Sequence, residues 1–390
     1  MDEKPKKLSA KRIIIISPAH PLRGGIAALS ERLAQELQCN GAQVTIYSFS
    51  LQYPGFLFPG KTQFTDDPPP KDLKIKSIIN SIYPLNWLKV GQMIRREKPD
   101  LVIIRYWLPF MAASLGTIAR IIKRNKFTKI ITIADNILPH EKRPGDWQLT
   151  NYLVQAVDGF IVMSKSVEAD LRLFTKNKPA VFTPHPIYDN YGAIVTRSVA
   201  LQYLQLPESE HYILFFGFIR KYKGFDLLLE AIADNRIKKL NIKLIIAGEY
   251  YDDPKLYEDL IIKHKLQDCV VLRTDFIPNE AVKYYFAAAD LVVQPYRSAT
   301  QSGISQMAYH FEKPMVVTNV GGLPEIVEHG KAGYVVEVNA TAIADAIVDF
   351  YDNQRFATMQ QGVREAKKRF EWSAMVEAIE RVSDEVTKTL

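Results

Sequence analysis

Arg12-Ile13-Ile14-Ile15-Ile16-Ser17 runs directly into Pro18-Ala19-His20-Pro21-Leu22-Arg23-Gly24-Gly25-Ile26, and this junction decides the reading of the chain. A continuous apolar run of this length fits a strand buried on both faces, as in a parallel sheet. Ile26, Leu29, Leu33 and Leu37 follow at helical spacing, which predicts a helix laid back on the strand. Moving outward, Val44–Phe49, Leu101–Arg105, Lys129–Ala134 and Phe160–Ser164 repeat the strand signal. Helical patterns lie between several of them, near Trp87–Arg96, Gly116–Arg124 and Gln148–Ala156. Strands alternating with helices predict a parallel α/β sheet.

A proline-bearing stretch without periodicity, Thr183 to Glu208, reads as a linker. The alternation then restarts. Ile213–Phe216, Ile242–Ala247, Val270–Leu272, Leu291–Val293 and Met315–Val317 read as strands. Phe225–Ala233, Leu256–His264, Ala281–Ala289 and Gly303–Phe311 read as helices. Trp372 to Thr389 reads as a long polar-faced helix with no strand after it. The expectation is two successive doubly wound α/β domains, over residues 1–195 and 205–372. Where two such sheets face each other, the carboxyl ends of their strands line one cleft, and ligands bind at those ends.

The 390 residues are 47% apolar and 24% charged, which excludes disordered, collagen-like and coiled-coil proteins. Cys39 and Cys269 are too few for a disulfide framework or a zinc cluster and fit a reducing cytoplasm. Met1 to Arg12 lacks the apolar core of a signal peptide. Leu101 to Ile122 is the longest membrane-span candidate, but Arg105, Pro109 and Arg120 interrupt it. It reads as a buried strand followed by a helix. Residues 1–200 carry 28 Lys and Arg against 16 Asp and Glu, a balance of +12, whereas the remainder balances at −5. A basic half suits an anionic partner, or is simply a solvated lysine face.

Chemistry is concentrated in loops after strands. Gly24-Gly25 allows close backbone approach to a ligand, although the spacing is not Gly-x-Gly-x-x-Gly and gives no support to a nicotinamide dinucleotide. Phe216-Gly217-Phe218-Ile219-Arg220-Lys221-Tyr222-Lys223-Gly224 places Arg220 and Lys223 between a strand and a helix. Two cations there suit a diphosphate; a solvated basic turn is the alternative. Asp290-Leu291-Val292-Val293-Gln294-Pro295-Tyr296 leads to Thr300-Gln301-Ser302-Gly303-Ile304 and a helix. Free N–H groups at such a helix start suit phosphate oxygens. Lys313-Pro314, Gly321-Gly322-Leu323-Pro324-Glu325 and Gly330-Lys331-Ala332-Gly333 follow.

This last block resembles the donor-binding region of the retaining family-4 glycosyltransferases (glycosyl transferases group 1), which carry two Rossmann-like domains facing across a cleft, the GT-B fold. The Arg220/Lys223-Gly224 turn, the Gly24-Gly25 loop and the closing Phe370-Glu371-Trp372 resemble the same family. The resemblance implies a nucleotide-sugar donor on the second domain and a glycan or lipid-linked acceptor on the first. It also implies that the last helix, residues 373–390, completes the first domain. By position, Arg220, Lys223, Ser302 and Gly303 would hold the donor diphosphate, and Gly25 and Gln301 would lie against the nucleotide and sugar. The family's paired glutamates fall at Ala299 and Met307, and its arginine after the opening glycine falls at Phe218. Gln301 or Gln306 would supply substitute hydrogen bonds. A histidine usual near the sugar is replaced by Asp135, with His140 five residues on, and these two are the catalytic candidates. An Asx turn with a surface histidine is their plainer reading. His185 marks the linker.

The chain thus reads as a hexosyltransferase-like retaining enzyme of polysaccharide biosynthesis, cytoplasmic, with no nucleic-acid partner. A non-catalytic nucleotide-sugar-binding subunit, supported by the missing glutamate pair, is one alternative. A sugar-nucleotide epimerase or hydrolase of the same fold, relying on Asp135, His140 and Glu141, is the other. Peripheral docking on an anionic membrane at its inner face is expected from the basic half and from Tyr53-Pro54-Gly55-Phe56-Leu57-Phe58-Pro59. No cofactor and no metal are expected: Asp66-Asp67 and Asp252-Asp253 are adjacent pairs rather than Asp-x-Asp, and no His or Cys cluster exists. Gly-x-Ser-x-Gly is absent as well. Transfer should therefore continue in excess EDTA; complete loss restored by Mg²⁺ or Mn²⁺ would refute the metal-free expectation.

Overall fold

The computed structural model describes residues 8–54, 62–65, 68–139, 143–299 and 302–389. The chain forms two compact units. One comprises residues 1–184 with 372–390, and the other residues 185–371.

The first unit contains β1 (Arg12–Ile16), β2 (Gln43–Leu51), β3 (Lys74–Asn80), β4 (Leu101–Tyr106), β5 (Lys129–Ala134), β6 (Gly159–Val162) and β7 (Ala180–Phe182). They form one sheet in the order β3-β2-β1-β4-β5-β6-β7. Every pairing is parallel. Parallel pairing needs a crossover between neighbours, and helices on both faces bury the strands. All six residues of β4 are accordingly buried. Val90 and Ile94 of the helix Pro84–Glu97 and Leu115, Ile118 and Ile122 of the helix Ala112–Lys123 join the core beside Val102 and Ile104. The Leu101–Ile122 stretch is thus a buried strand and a helix, split by a short turn at Pro109–Met111. No described helix is long and apolar enough to cross a membrane.

The second unit contains β8 (His211–Phe216), β9 (Ile242–Ala247), β10 (Val270–Arg273), β11 (Leu291–Gln294), β12 (Met315–Thr318) and β13 (Gly333–Val336). Their order is β10-β9-β8-β11-β12-β13, again all parallel. In each sheet the chain lays strands outward to one side, then returns to the centre and builds the other side. The order reverses between β1 and β4 and between β8 and β11. At such a reversal the two flanking loops diverge and leave a crevice beyond the carboxyl ends of the strands.

The stretch read as a linker holds a helix, Arg197–Leu204, started by the Thr196 hydroxyl, which accepts from the Val199 N–H at 3.4 Å. Tyr203 on that helix stacks on Tyr284 at 3.8 Å between centroids. The final helix, Trp372–Thr389, belongs to the first unit. Lys129 Nζ donates to the Ser383 carbonyl at 3.2 Å, and the Arg32 guanidinium lies 5.0 Å from the Trp372 ring centroid. Gly159 lets this helix approach β6: a Cβ there would stand 2.6 Å from Val382 Cγ1 and 3.3 Å from the Pro179 carbonyl. Gly159→Val should therefore lower stability by about 1–3 kcal/mol through overpacking. Chemical denaturation will check this, and adding Val382→Ala should recover part of the loss.

Candidate functional site

In the second unit, the loops after β8 and β11 are the pair at the reversal, and they are fastened together. The loop after β8 passes Gly217 and makes a single tight turn, Lys221–Lys223, before the helix Phe225–Ile232. Gly224 between them has φ +66°, and a Cβ there would stand 2.0 Å from the Pro295 carbonyl oxygen. Only glycine tolerates that conformation with a backbone so near. The Arg297 N–H donates to the Tyr222 carbonyl at 2.7 Å, and Arg297 pairs with Asp226 at 2.5 Å. Thr318 at the end of β12 donates its hydroxyl to the Tyr296 carbonyl at 2.5 Å.

Lys223 is the unusual group here. Its side chain is 8% exposed. Its ammonium lies 3.0 Å from where a Gly217 Cβ would be and 5.6 Å from the Tyr296 ring centroid. No carboxylate pairs with it among the described residues. Burial, and secondarily the positive charge of Arg220, push its pKa down to about 8. The Arg220 guanidinium lies 4.5 Å from the Tyr251 ring centroid, and Tyr251 in turn packs on Phe218 at 4.4 Å. A buried ammonium without a counter-ion beside a stacked guanidinium suits an anionic ligand.

Ser302 and Gly303 start the helix Gly303–His310. No described side chain caps that start. The Ser302 hydroxyl is buried, 3.5 Å from the Tyr296 hydroxyl. Ile304 Cδ1 lies 3.4 Å from the same Gly217 Cβ position that borders Lys223. The structure therefore brings Arg220, Lys223, Ser302 and Gly303 to one end of the second sheet. Gly303 is crowded by the protein itself, since a Cβ would meet the Tyr188 ring at 2.7 Å. Gln306 is fully buried, and both its amide nitrogen and its amide oxygen lack a hydrogen-bond partner among the described residues. Gln301 lies outside the described residues. Ala299 and Met307, at the places of the family's glutamates, are buried.

In the first unit, Gly25 opens the helix Gly25–Cys39 after β1, and Asp135 follows β5. The Asp135 carboxylate is held by Arg105 of β4, which donates Nε at 2.8 Å and Nη2 at 2.6 Å to its two oxygens. This fork engages both oxygens of the carboxylate named above as a catalytic candidate. A guanidinium that is 3% exposed calls for such a partner. His140 and Glu141 lie outside the described residues. Tyr53 is not an exposed aromatic: its hydroxyl accepts from Trp107 Nε1 at 2.6 Å. Phe56, Leu57 and Phe58 lie outside the described residues, as do Asp66 and Asp67. No three His, Cys, Asp or Glu side chains among the described residues gather closely enough to hold a metal ion.

Sequence reasoning missed Tyr188, Tyr251 and Tyr296, which shape this end of the second unit. Only Tyr296 had a local signal, its place directly after a strand.

Residues 199–369 match the family described as glycosyl transferases group 1, and residues 23–191 match glycosyltransferase family 4. An uncharacterized glycosyltransferase of Methanocaldococcus jannaschii is 26% identical over 313 residues, covering 78% of this chain and 81% of that protein. A D-inositol 3-phosphate glycosyltransferase of Thermobifida fusca is 28% identical over 294 residues, covering 67% of this chain and 64% of that protein. Among solved structures, sucrose-phosphate synthase of Thermosynechococcus elongatus superposes with a TM-score of 0.73 at 18% identity, over 97% of this chain and 100% of that one. Anabaena HepE in complex with UDP gives a TM-score of 0.71 at 18% identity, over 97% and 100%. Two adjoining family matches that together take in most of the chain, and two parallel-sheet domains that superpose on these enzymes, place the chain among the glycosyltransferases of the GT-B fold.

Proposed function

We propose that this glycosyltransferase takes its sugar from a nucleoside diphosphate sugar bound to the second unit and transfers it, with retention, to a glycan or lipid-linked acceptor. The buried, unpaired ammonium of Lys223 beside Arg220 carries this reading. A diphosphate supplies the counter-charge that the protein withholds. The helix start at Ser302-Gly303 adds N–H groups, which stabilise charge on the departing diphosphate. Complexes of Anabaena HepE with UDP and with UDP-glucose support a uridine nucleotide as the donor. Gln306, with an unsatisfied buried amide, is the residue we assign to the sugar or ribose in place of a glutamate.

In the reaction the acceptor oxygen bonds to the anomeric carbon on the face that the diphosphate leaves. The bond from that carbon to the phosphate oxygen breaks, and the leaving phosphate takes the acceptor proton. No enzymic nucleophile and no metal enter this scheme. The Arg105–Asp135 fork agrees with it, because both carboxylate oxygens are already engaged. The same fork weighs against an epimerase or hydrolase built on Asp135. A binding subunit without turnover is favoured by buried Ala299 and Met307, and slow release of UDP from UDP-glucose without acceptor would exclude it.

Titration calorimetry tests the reading. Arg220→Ala and Lys223→Ala should each weaken UDP binding by about 1.5–3 kcal/mol, the range for charged hydrogen bonds. UDP affinity of the parent should fall as pH rises above about 8, where Lys223 loses its proton in the free protein. The stability effect has the opposite sense. The folded pKa of about 8 lies below the ordinary lysine value of 10.5, so the unfolded chain holds the proton more tightly. The ammonium thus costs stability in full below pH 8, and the cost fades between pH 8 and 10.5. Lys223→Met should be more stable than the parent at pH 7 by roughly 1–3 kcal/mol, while its UDP binding weakens as in Lys223→Ala. Unchanged UDP affinity in both the Arg220 and Lys223 variants would overturn the diphosphate assignment.

A further inference from the structure

Four large apolar side chains stand together in the sequence at the end of β3 and are left in solvent. Ile82 is 49% exposed, Tyr83 52%, Leu85 61% and Leu88 48%. They sit where the chain leaves β3 and enters the helix Pro84–Glu97. In an all-parallel sheet this is the carboxyl edge, the same edge that carries Gly24-Gly25 and the Arg105–Asp135 fork.

The helix continues the surface with cations. Leu85, Leu88, Lys89, Gln92 and Arg96 recur at spacings that put them on one face. Val90, Gly91 and Ile94 point the other way, into the core. The outward face is therefore apolar at its start and basic at its end, over about 16 Å of helix. Lys89, Gln92, Met93, Arg96 and Glu97 line a groove along it. Glu97, the one acid of this helix, accepts from the Tyr47 hydroxyl at 2.5 Å and lies 3.8 Å from Lys76 Nζ. Glu97 is thus engaged by groups of its own domain. Asn125 donates to the Arg95 carbonyl at 3.4 Å. That bond holds the next turn, with Arg124, Lys126 and a 54% exposed Phe127, against the basic end.

We propose that this face, Ile82–Leu88 with the Lys89–Arg96 flank and the Arg124–Phe127 turn, docks the first unit on an anionic lipid surface. An interfacial helix buries its apolar residues at the boundary of headgroup and acyl chain, while Lys and Arg stay at headgroup level. Mixed apolar and cationic character suits that boundary better than a purely polar polyanion. The +12 balance of residues 1–200 adds long-range attraction of the same sign. The face runs from the carboxyl edge of the sheet at Ile82–Leu85 back to the amino edge at Arg96 and Arg124–Phe127, and its apolar start would bring a lipid-linked acceptor toward the loops of the first unit. The link to an acceptor rests on the transferase reading above; the docking itself does not.

Co-sedimentation with vesicles tests it. The full chain should pellet with vesicles of equal parts phosphatidylcholine and phosphatidylglycerol, and not with phosphatidylcholine alone. Salt should release it, as screening requires. The double variant Leu85→Ser/Leu88→Ser and the double variant Lys89→Glu/Arg96→Glu should each lower partitioning by about tenfold or more. All four positions are surface residues, so thermal unfolding of the variants serves as the control for an intact first unit, and UDP binding measured by calorimetry as the control for the second. A parent chain that stays in the supernatant with anionic vesicles at low salt would overturn the proposal. So would variants that partition like the parent. A parent dimer in sedimentation equilibrium that the Leu85/Leu88 variant loses would assign the face to a second copy instead. Retained UDP binding alongside failed docking would remove this inference and leave the donor reading standing.

Discussion

The reversal of strand order between β8 and β11 is the constraint on which the donor-side geometry depends. Because all strands are parallel, each connection must return outside the sheet, and both sheet faces are used up by covering helices. Polar function is confined to the loops at the carboxyl edge. Among these, only the loops that leave a reversal diverge enough to admit a ligand. The cation turn and the Ser302-Gly303 helix start are those two loops. The close backbone approach of Gly224 to Pro295 and the Arg297–Asp226 pair keep them in register. Tyr296 connects the chemistry, with its ring toward Lys223 and its hydroxyl toward Ser302.

The two units spend burial differently at their edges. In the first, Arg105 and Asp135 are paired with one another through two hydrogen bonds. In the second, Lys223 and Gln306 are buried without partners among the described residues. Incomplete satisfaction of this kind destabilises a folded domain. It persists where a ligand completes the set. The two units thus differ in the hydrogen-bonding completeness of their buried polar groups at this edge.

Much of this was legible in the sequence. Strands buried on both faces, such as Arg12–Ile16 and Lys129–Ala134, announce themselves by unbroken apolar runs. The edge strand Lys74–Asn80 does not, because its exposed positions carry lysines and serine that break the run. Ala180–Phe182 is too short to show a period, and Gly333–Val336 follows a glycine-rich turn. The helix Arg197–Leu204 hides in a stretch whose prolines suggest a linker, since its stability comes from packing on Val282–Ala288 rather than from its own pattern. For the site, Arg220, Lys223 and Ser302 followed from position after a strand. The engagement of Asp135 by Arg105 did not, because the partners are 30 residues apart and meet only through the β4–β5 register. Tyr188 against Gly303 was invisible for the same reason: the contact joins segments more than a hundred positions apart.

The placement of Trp372–Thr389 on the first unit has a consequence for how the protein is made. During synthesis the amino-terminal unit emerges first, yet the face of β5, β6 and β7 that receives this helix stays uncovered until the whole second unit has been translated. The second unit is contiguous in the chain and can close as soon as Glu371 is out. Domains usually complete in the order of synthesis. Here the domain begun first on the ribosome is the last to be finished, and a polypeptide released before residue 372 would hold a whole second domain beside a first one with an open apolar flank.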